Sequence, residues 1–99
     1  MNIVWSSEAL GKLDEIERFI AQDSSQRAAV FIDRLPEKGD SIALFPEIGR
    51  VVPEFSRSDI REILFGNYRI VYRTAPLHIV ILTVFEGHRK LRSEECEQE

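Results

Sequence analysis

The second half of the chain contains three β-prone runs that only two or three turn residues separate. These runs span residues 60–65, 68–73 and 77–86, and the turns between them are Gly66-Asn67 and residues 74–76. Connections this short join antiparallel neighbours, because a parallel crossover needs a dozen or more residues. The sequence therefore predicts a three-stranded antiparallel meander, with Gly66-Asn67 as a tight turn.

Two amphipathic segments precede this meander and predict helices. Apolar residues, Leu10 and Phe19 among them, recur at spacings of three and four over residues 7–22, where Ser6 or Ser7 offers an N-cap. A second helix follows the capping-box pair Asp23 and Gln26. Pro36 predicts a break or kink in it, because a proline in a helix interior costs about 3 kcal/mol.

The order of these elements predicts the fold class. Residues 3–5 are a short β-prone segment before the first helix. Since each helix must bury its apolar stripe against a sheet face, we expect a two-layer α+β fold. In this fold an N-terminal strand and a two-helix hairpin accompany an antiparallel sheet, with the helices packed on one face.

Composition limits the domain organisation and the compartment. A chain of 99 residues forms one domain, which we place at residues 1–92. Residues 93–99 hold four glutamates and no base, whereas the other 13 acids balance the 13 bases, so these last residues are an acidic tail that we expect to be flexible. Cys96 is the only cysteine, which excludes an internal disulfide and fits the cytoplasm. No signal peptide or membrane-spanning run is evident.

Two arginines mark one face of the middle strand of the meander. Arg69 and Arg73 share this face, while Tyr68 and Tyr72 share the other, which we expect to contact the helices. The arginine face is then the open one, because an unpaired buried charge is costly. Two roles remain: binding of an anionic ligand, or structural ion pairing across the sheet. Pairing would use acidic residues of nearby segments: Glu54, Asp59 and Glu62.

Other basic residues come from segments that can approach the same surface. Arg50 and Arg61 lie before and within the first strand of the meander. His88 follows the last strand beside Arg89 and is either a general acid or base or a plain surface residue. Two histidines without metal-ligand spacing predict neither a metal site nor a cofactor.

Several segments together resemble one protein family. They are residues 3–6 with the helix around Ala9 and Leu10, residues 45–54, residues 60–62 and residues 66–73. In order and spacing they are similar to the ParE/RelE toxin superfamily over about residues 3–92, and to its ParE branch of plasmid stabilisation proteins more than to RelE. The chain departs from the pattern at Pro36, in its acidity and in having no tyrosine after Tyr72.

The resemblance implies a toxin of a bacterial type II toxin–antitoxin system. Such toxins pack two N-terminal helices on an antiparallel sheet and are neutralised by a cognate antitoxin, which also carries the complex to operator DNA. ParE-like members inhibit DNA gyrase, whereas RelE-like members cleave mRNA on the ribosome. We expect the antitoxin to place an acidic or amphipathic helix in an apolar groove near the first helices, and addition of a strand to a sheet edge is the alternative mode.

Three hypotheses follow from the resemblance. In the first, the chain is not an enzyme but binds and blocks gyrase. In the second, it is an mRNA endonuclease whose catalytic set is Arg61, Arg69, Arg73 and His88. In the third, it is a weakened toxin that acts mainly through its antitoxin complex. The candidate contacts with target or antitoxin are Arg50, Arg57, Arg61, Arg69, Arg73 and Arg89.

Overall fold

A computed structural model describes residues 2–87 of the chain. Its elements are β1 (Asn2–Trp5), α1 (Ser7–Asp23), α2 (Ser25–Leu44), β2 (Arg50–Val51), β3 (Ile60–Phe65), β4 (Tyr68–Thr74) and β5 (His78–Glu86). The predicted roles of His88 and Arg89 and the acidic tail lie outside the described residues.

The five strands form one sheet in the order β1-β5-β4-β3-β2. Strands β3, β4 and β5 form the predicted antiparallel meander, and β2 pairs antiparallel with β3. β1 pairs parallel with β5, because the helical hairpin and the meander between them carry the chain back to the same end. The α+β prediction is confirmed, with a mixed rather than purely antiparallel sheet.

α1 begins at the predicted N-cap and is tied to the sheet through it. The Ser6 hydroxyl accepts a hydrogen bond from the Ala9 N–H at 3.0 Å and donates one to the Leu82 carbonyl at 2.9 Å. Ala9 and Leu13 pack into the core, but Leu10 and Phe19 are exposed, so the predicted apolar stripe is narrower than expected. The cap therefore fixes both the start of α1 and its position over β5.

α2 runs as one helix from Ser25 to Leu44, so the break expected at Pro36 is wrong. Leu35 and Ile42, on either side of the proline, are buried in the core below the helix. Their burial offsets the local penalty, since tertiary packing routinely overrides helix propensity. The N-cap is Ser24, whose hydroxyl accepts from the Arg27 N–H at 3.1 Å, and not the predicted capping box at Asp23.

The sheet carries apolar clusters on both faces. Ile70 and Tyr72 belong to the cluster that faces the helices, as predicted. On the opposite face, Val71 belongs to a second cluster, against which Phe55 packs from the loop between β2 and β3. The arginine face is therefore opposite the helices, but this loop covers part of it.

The hairpin between β3 and β4 turns at Gly66-Asn67, as predicted. Phe65 pairs with Tyr68 across the two-residue turn, and Gly66 has a φ of 60°. A positive φ at the first central residue alone is the feature of type II′ turns, which glycine adopts at no steric cost.

Candidate functional site

Arg69 is buried in the face of the sheet that was expected to display it. Its side chain is 7% exposed, and its Nε donates to Glu62 Oε1 at 2.8 Å, while Nη2 contacts the same oxygen. The guanidinium carbon lies 4.9 Å from the centroid of the Phe85 ring, and Glu54 lies 3.9 Å from Nη2. The structural-pairing alternative is correct for this residue, and the expectation of an open cationic ridge is wrong here.

Arg50 joins Arg69 at the same carboxylate. Its Nε and Nη2 each lie 2.6 Å from Oε2 of Glu62, whose side chain is only 2% exposed. Arg50 itself is 68% exposed, because it comes from the edge strand β2. The buried carboxylate of β3 thus holds a buried arginine at the start of β4 and an exposed arginine on β2, so this cluster links the three strands.

Arg57 and Arg73 both act on Asp59. Arg57 makes a two-pronged contact with the Asp59 carboxylate, at 3.0 and 2.8 Å. This hydrogen bonding holds the pKa of Asp59 below its usual value, and the charge of the half-buried Arg73 acts in the same direction. Both predicted arginines therefore lie near an acidic neighbour, as the pairing alternative anticipated.

Arg61 lies on the other side of β3, among the residues that shape the loop after α2. Its Nη1 donates to the Gly49 carbonyl at 2.9 Å. In the same loop, the Tyr72 hydroxyl donates to the Pro46 carbonyl at 2.8 Å and accepts from the Gly49 N–H at 2.9 Å. Burial raises the pKa of Tyr72 above its usual value. Arg61 does not join the Glu62 cluster, because strand alternation directs it to the opposite face.

An apolar groove lies at the hairpin end of the sheet, beside α1 and α2. The sequence predicted an apolar groove near these helices but did not identify its lining residues. We name it the Tyr68 groove, after the residue that it surrounds. One part, of about 410 Å³, lies between α1 and β5 and includes Ile16 and Phe19, and the other, of about 350 Å³, is lined by Val30 and Phe31 of α2. Phe19 is 62% exposed here. Leu64 is also exposed at this end of the sheet. It interrupts the alternation of apolar and polar residues along β3, and this interruption could have indicated exposed apolar surface from the sequence.

Two cations border the Tyr68 groove on the α2 side. Arg27 and Arg34 line it, and neither forms an ion pair with a carboxylate in the part of the chain that the structure describes. Burial, followed by the charge of Glu86, raises the pKa of Tyr68. The groove therefore combines exposed apolar surface with unpaired positive charge, and its two arginines were not among the predicted contacts.

Over residues 2–87, no group of three or more histidine, cysteine, aspartate or glutamate side chains is arranged to hold a metal ion. No helix in this range is long and apolar enough to cross a membrane.

The comparisons with known proteins agree with this architecture. A curated relative, "Putative toxin Y4kP" of Sinorhizobium fredii (strain NBRC 101917 / NGR234), is 34% identical over 90 residues, which cover 89% of this chain and 90% of the relative. A solved structure of a chromosomal ParDE TA system from P. aeruginosa contains a similar fold, with a TM-score of 0.70 and 17% identity over 87% of this chain and 95% of that one. A protein-family model described as the ParE toxin of the type II toxin–antitoxin system, parDE, matches residues 3–91 of this chain. The chain belongs to this family of ParE toxins.

Proposed function

We propose that the chain is a toxin that blocks DNA gyrase by binding, and that a cognate antitoxin neutralises it by laying an amphipathic helix in the Tyr68 groove. The observation that carries the antitoxin part of this proposal is the groove itself, with Phe19 62% exposed at one side of Tyr68 and Val30 49% exposed at the other. Exposed apolar side chains around a concave surface are typical of a helix-in-groove interface.

Charge at the groove specifies the chemistry of that helix. Arg27 and Arg34 have no carboxylate partner within residues 2–87, so they complement acidic residues on the incoming helix. Arginine suits this role because its planar fork makes paired hydrogen bonds with a carboxylate. The antitoxin segment is therefore apolar on one side and acidic on the side that faces α2.

The buried position of Arg69 favours a binding toxin over an endonuclease. Its guanidinium is held by Glu62 and stacked on Phe85, so it is not directed at an external phosphate. A catalytic arginine must lie where charge develops in the transition state. Among the proposed catalytic residues of the endonuclease that lie within residues 2–87, only Arg61 and Arg73 would then contact RNA.

The weakened-toxin alternative loses part of its basis. It relied on Pro36 as a defect in the second helix, but α2 continues through the proline and keeps Leu35 and Ile42 in the core. We therefore propose an active toxin in the cytoplasm, where gyrase and a newly made antitoxin are both present.

A supercoiling assay with purified gyrase tests the target. We expect the isolated toxin to inhibit supercoiling and the toxin–antitoxin complex to have no effect. Supercoiling that continues at saturating toxin would rule out gyrase as the target. In parallel, transcript cleavage is compared between the parent, Arg61→Ala and Arg73→Ala. We expect both variants to give the same transcript pattern as the parent, whereas a joint loss of cleavage and toxicity would support the endonuclease.

Antitoxin docking is tested by the variant Phe19→Ser, with Leu10→Ser as the matched control. Both residues are exposed on α1, at 62% and 55%, but only Phe19 lines the groove. We expect Phe19→Ser to weaken antitoxin binding by about tenfold or more, because buried aromatic anchors dominate such interfaces. Equal affinities for the two variants, measured by isothermal titration calorimetry, would place the antitoxin elsewhere.

A further inference from the structure

A second apolar groove lies beside β1, and it shares no lining residue with the Tyr68 groove. It has a volume of about 330 Å³. Its walls are formed by two residues of β1 and five of α2: Ile3, Trp5, Ile32, Leu35, Pro36, Gly39 and Asp40. We name it the β1 groove.

Space for an additional side chain exists at Gly39. A Cβ atom built at this position meets no heavy atom within 4 Å, although Gly39 lies in the interior of a helix that packs on the core. Pro36, one turn earlier, has no N–H to donate to the Ile32 carbonyl, which therefore lacks its usual helical donor. Glycine and proline are the two least favourable residues in a helix interior, and here both line the same groove.

The groove runs along an unpaired edge of the sheet. Within residues 2–87, β1 has a strand neighbour on one side only, since it ends the strand order. The Ser6 N–H donates to the Ile81 carbonyl at 3.0 Å, and hydrogen bonding alternates along a strand, so Ile3 and Trp5 direct their backbone groups outward. The strand sequence Asn-Ile-Val-Trp has none of the charges or prolines that normally protect an edge.

The side of α2 next to this groove is acidic. Asp33, Glu37 and Asp40 are spaced four and three residues apart and therefore lie along one side of the helix. All three are exposed, and none pairs with a cation among the residues that the structure describes. Asp40 also lines the groove. The complementary partner is consequently positively charged.

We propose that the β1 groove receives an extended, positively charged segment of a partner protein. The segment adds as a strand to the free edge of β1, so that every second side chain of it faces α2. Among these side chains, the apolar ones enter the groove beside Gly39, and the basic ones at either end reach the carboxylates of α2. Main-chain hydrogen bonds then supply affinity and the groove supplies specificity, as in other strand-addition interfaces. This surface is separate from the Tyr68 groove, so antitoxin and segment can bind together.

The probe for this surface is a short capped peptide of the sequence Lys-Thr-Val-Thr-Val-Thr-Lys, in which threonine alternates with the valine and lysine residues, so that valine and lysine share the face toward α2. A peptide of the same composition in scrambled order, without the alternation, is the control. Trp5 is the only tryptophan in the chain and lines the groove, so its fluorescence reports occupancy. We expect the alternating peptide to bind, and its affinity to fall when salt is added, because salt screens interactions between exposed charges. No fluorescence change up to about 1 mM peptide, or equal binding of the scrambled peptide, would overturn the proposal.

The variant Gly39→Leu fills the groove without a clash at Cβ, and Gly11→Leu is its matched control. Gly11 lies on α1, also has no heavy atom within 4 Å of a built Cβ, and gains the same helix propensity. We expect Gly39→Leu to weaken peptide binding at least tenfold and Gly11→Leu to leave it unchanged. Unchanged binding in Gly39→Leu would refute the proposed position of the segment.

Charge and self-association complete the test. The triple variant Asp33→Asn, Glu37→Gln, Asp40→Asn is expected to bind the peptide about tenfold more weakly and with less salt dependence. If Gly39→Leu instead dissociates a dimer of the chain and the peptide does not bind, the occupant is a second copy and the proposal is wrong.

Discussion

The substitution Glu62→Met should destabilise the fold more than any single change at the charged residues around it. Glu62 and Arg69 are 2% and 7% exposed, so removing the carboxylate leaves a buried guanidinium without its main partner. Breaking a buried ion pair in this way costs about 3–5 kcal/mol. Glu54, at 3.9 Å, is a distant substitute, which places the expected loss near 3 kcal/mol. That is a large share of the roughly 5–15 kcal/mol that stabilises a small domain.

The same carboxylate provides its own control in Arg50→Met. Arg50 contacts Glu62 as closely as Arg69 does, but it is 68% exposed, so its loss should cost about 1 kcal/mol or less. The double variant Glu62→Met, Arg69→Met should recover most of the stability, because two apolar side chains of similar length replace the pair. Urea unfolding, monitored by Trp5 fluorescence, gives the free energy of unfolding of the parent and of the three variants. If Glu62→Met and Arg50→Met cost the same, burial does not set the strength of this cluster.

Three further changes test other parts of the fold. Tyr72→Phe removes two hydrogen bonds to the loop after α2 and should cost about 1–3 kcal/mol in urea unfolding; an unchanged midpoint would show that the loop is held by other contacts. Pro36→Ala should stabilise α2 by up to about 3 kcal/mol, measured by thermal unfolding, and a destabilised variant would show that the proline is required by its neighbours. Asp59 has a pKa lowered from 3.8 mainly by Arg57, so its contribution to stability is present above 3.8 and is lost as the pH falls through the lowered value. In Arg57→Gln, NMR titration should show the Asp59 pKa returning toward 3.8, and no movement would contradict the assignment of its cause.

Local patterns predicted most of the fold. The meander, its Gly66-Asn67 turn and the capping serine of α1 depend on residues close in sequence, and all three occur where expected. The parallel pairing of β1 with β5 did not follow from such patterns, because its partners lie more than seventy residues apart, Asn2 opposite His78. The continuity of α2 was mispredicted for a similar reason, since the core contacts that hold it come from distant elements.

The binding surfaces were less predictable than the elements. Sequence alternation placed Arg69 and Arg73 on the face opposite the helices, which is correct, but it did not specify that Glu62 would bury one of them. Neither did it show that Phe19 would remain exposed beside Tyr68.

The amino-acid sequence by itself determined the element order, the α+β class and the resemblance to ParE toxins, because periodicity, turn chemistry and ordered motifs are local properties of the chain. Only the tertiary structure decided which charges remain available and where apolar surface is left open. Both depend on which side chains from distant segments meet, and a carboxylate such as Glu62 selects its partners only when the sheet has formed.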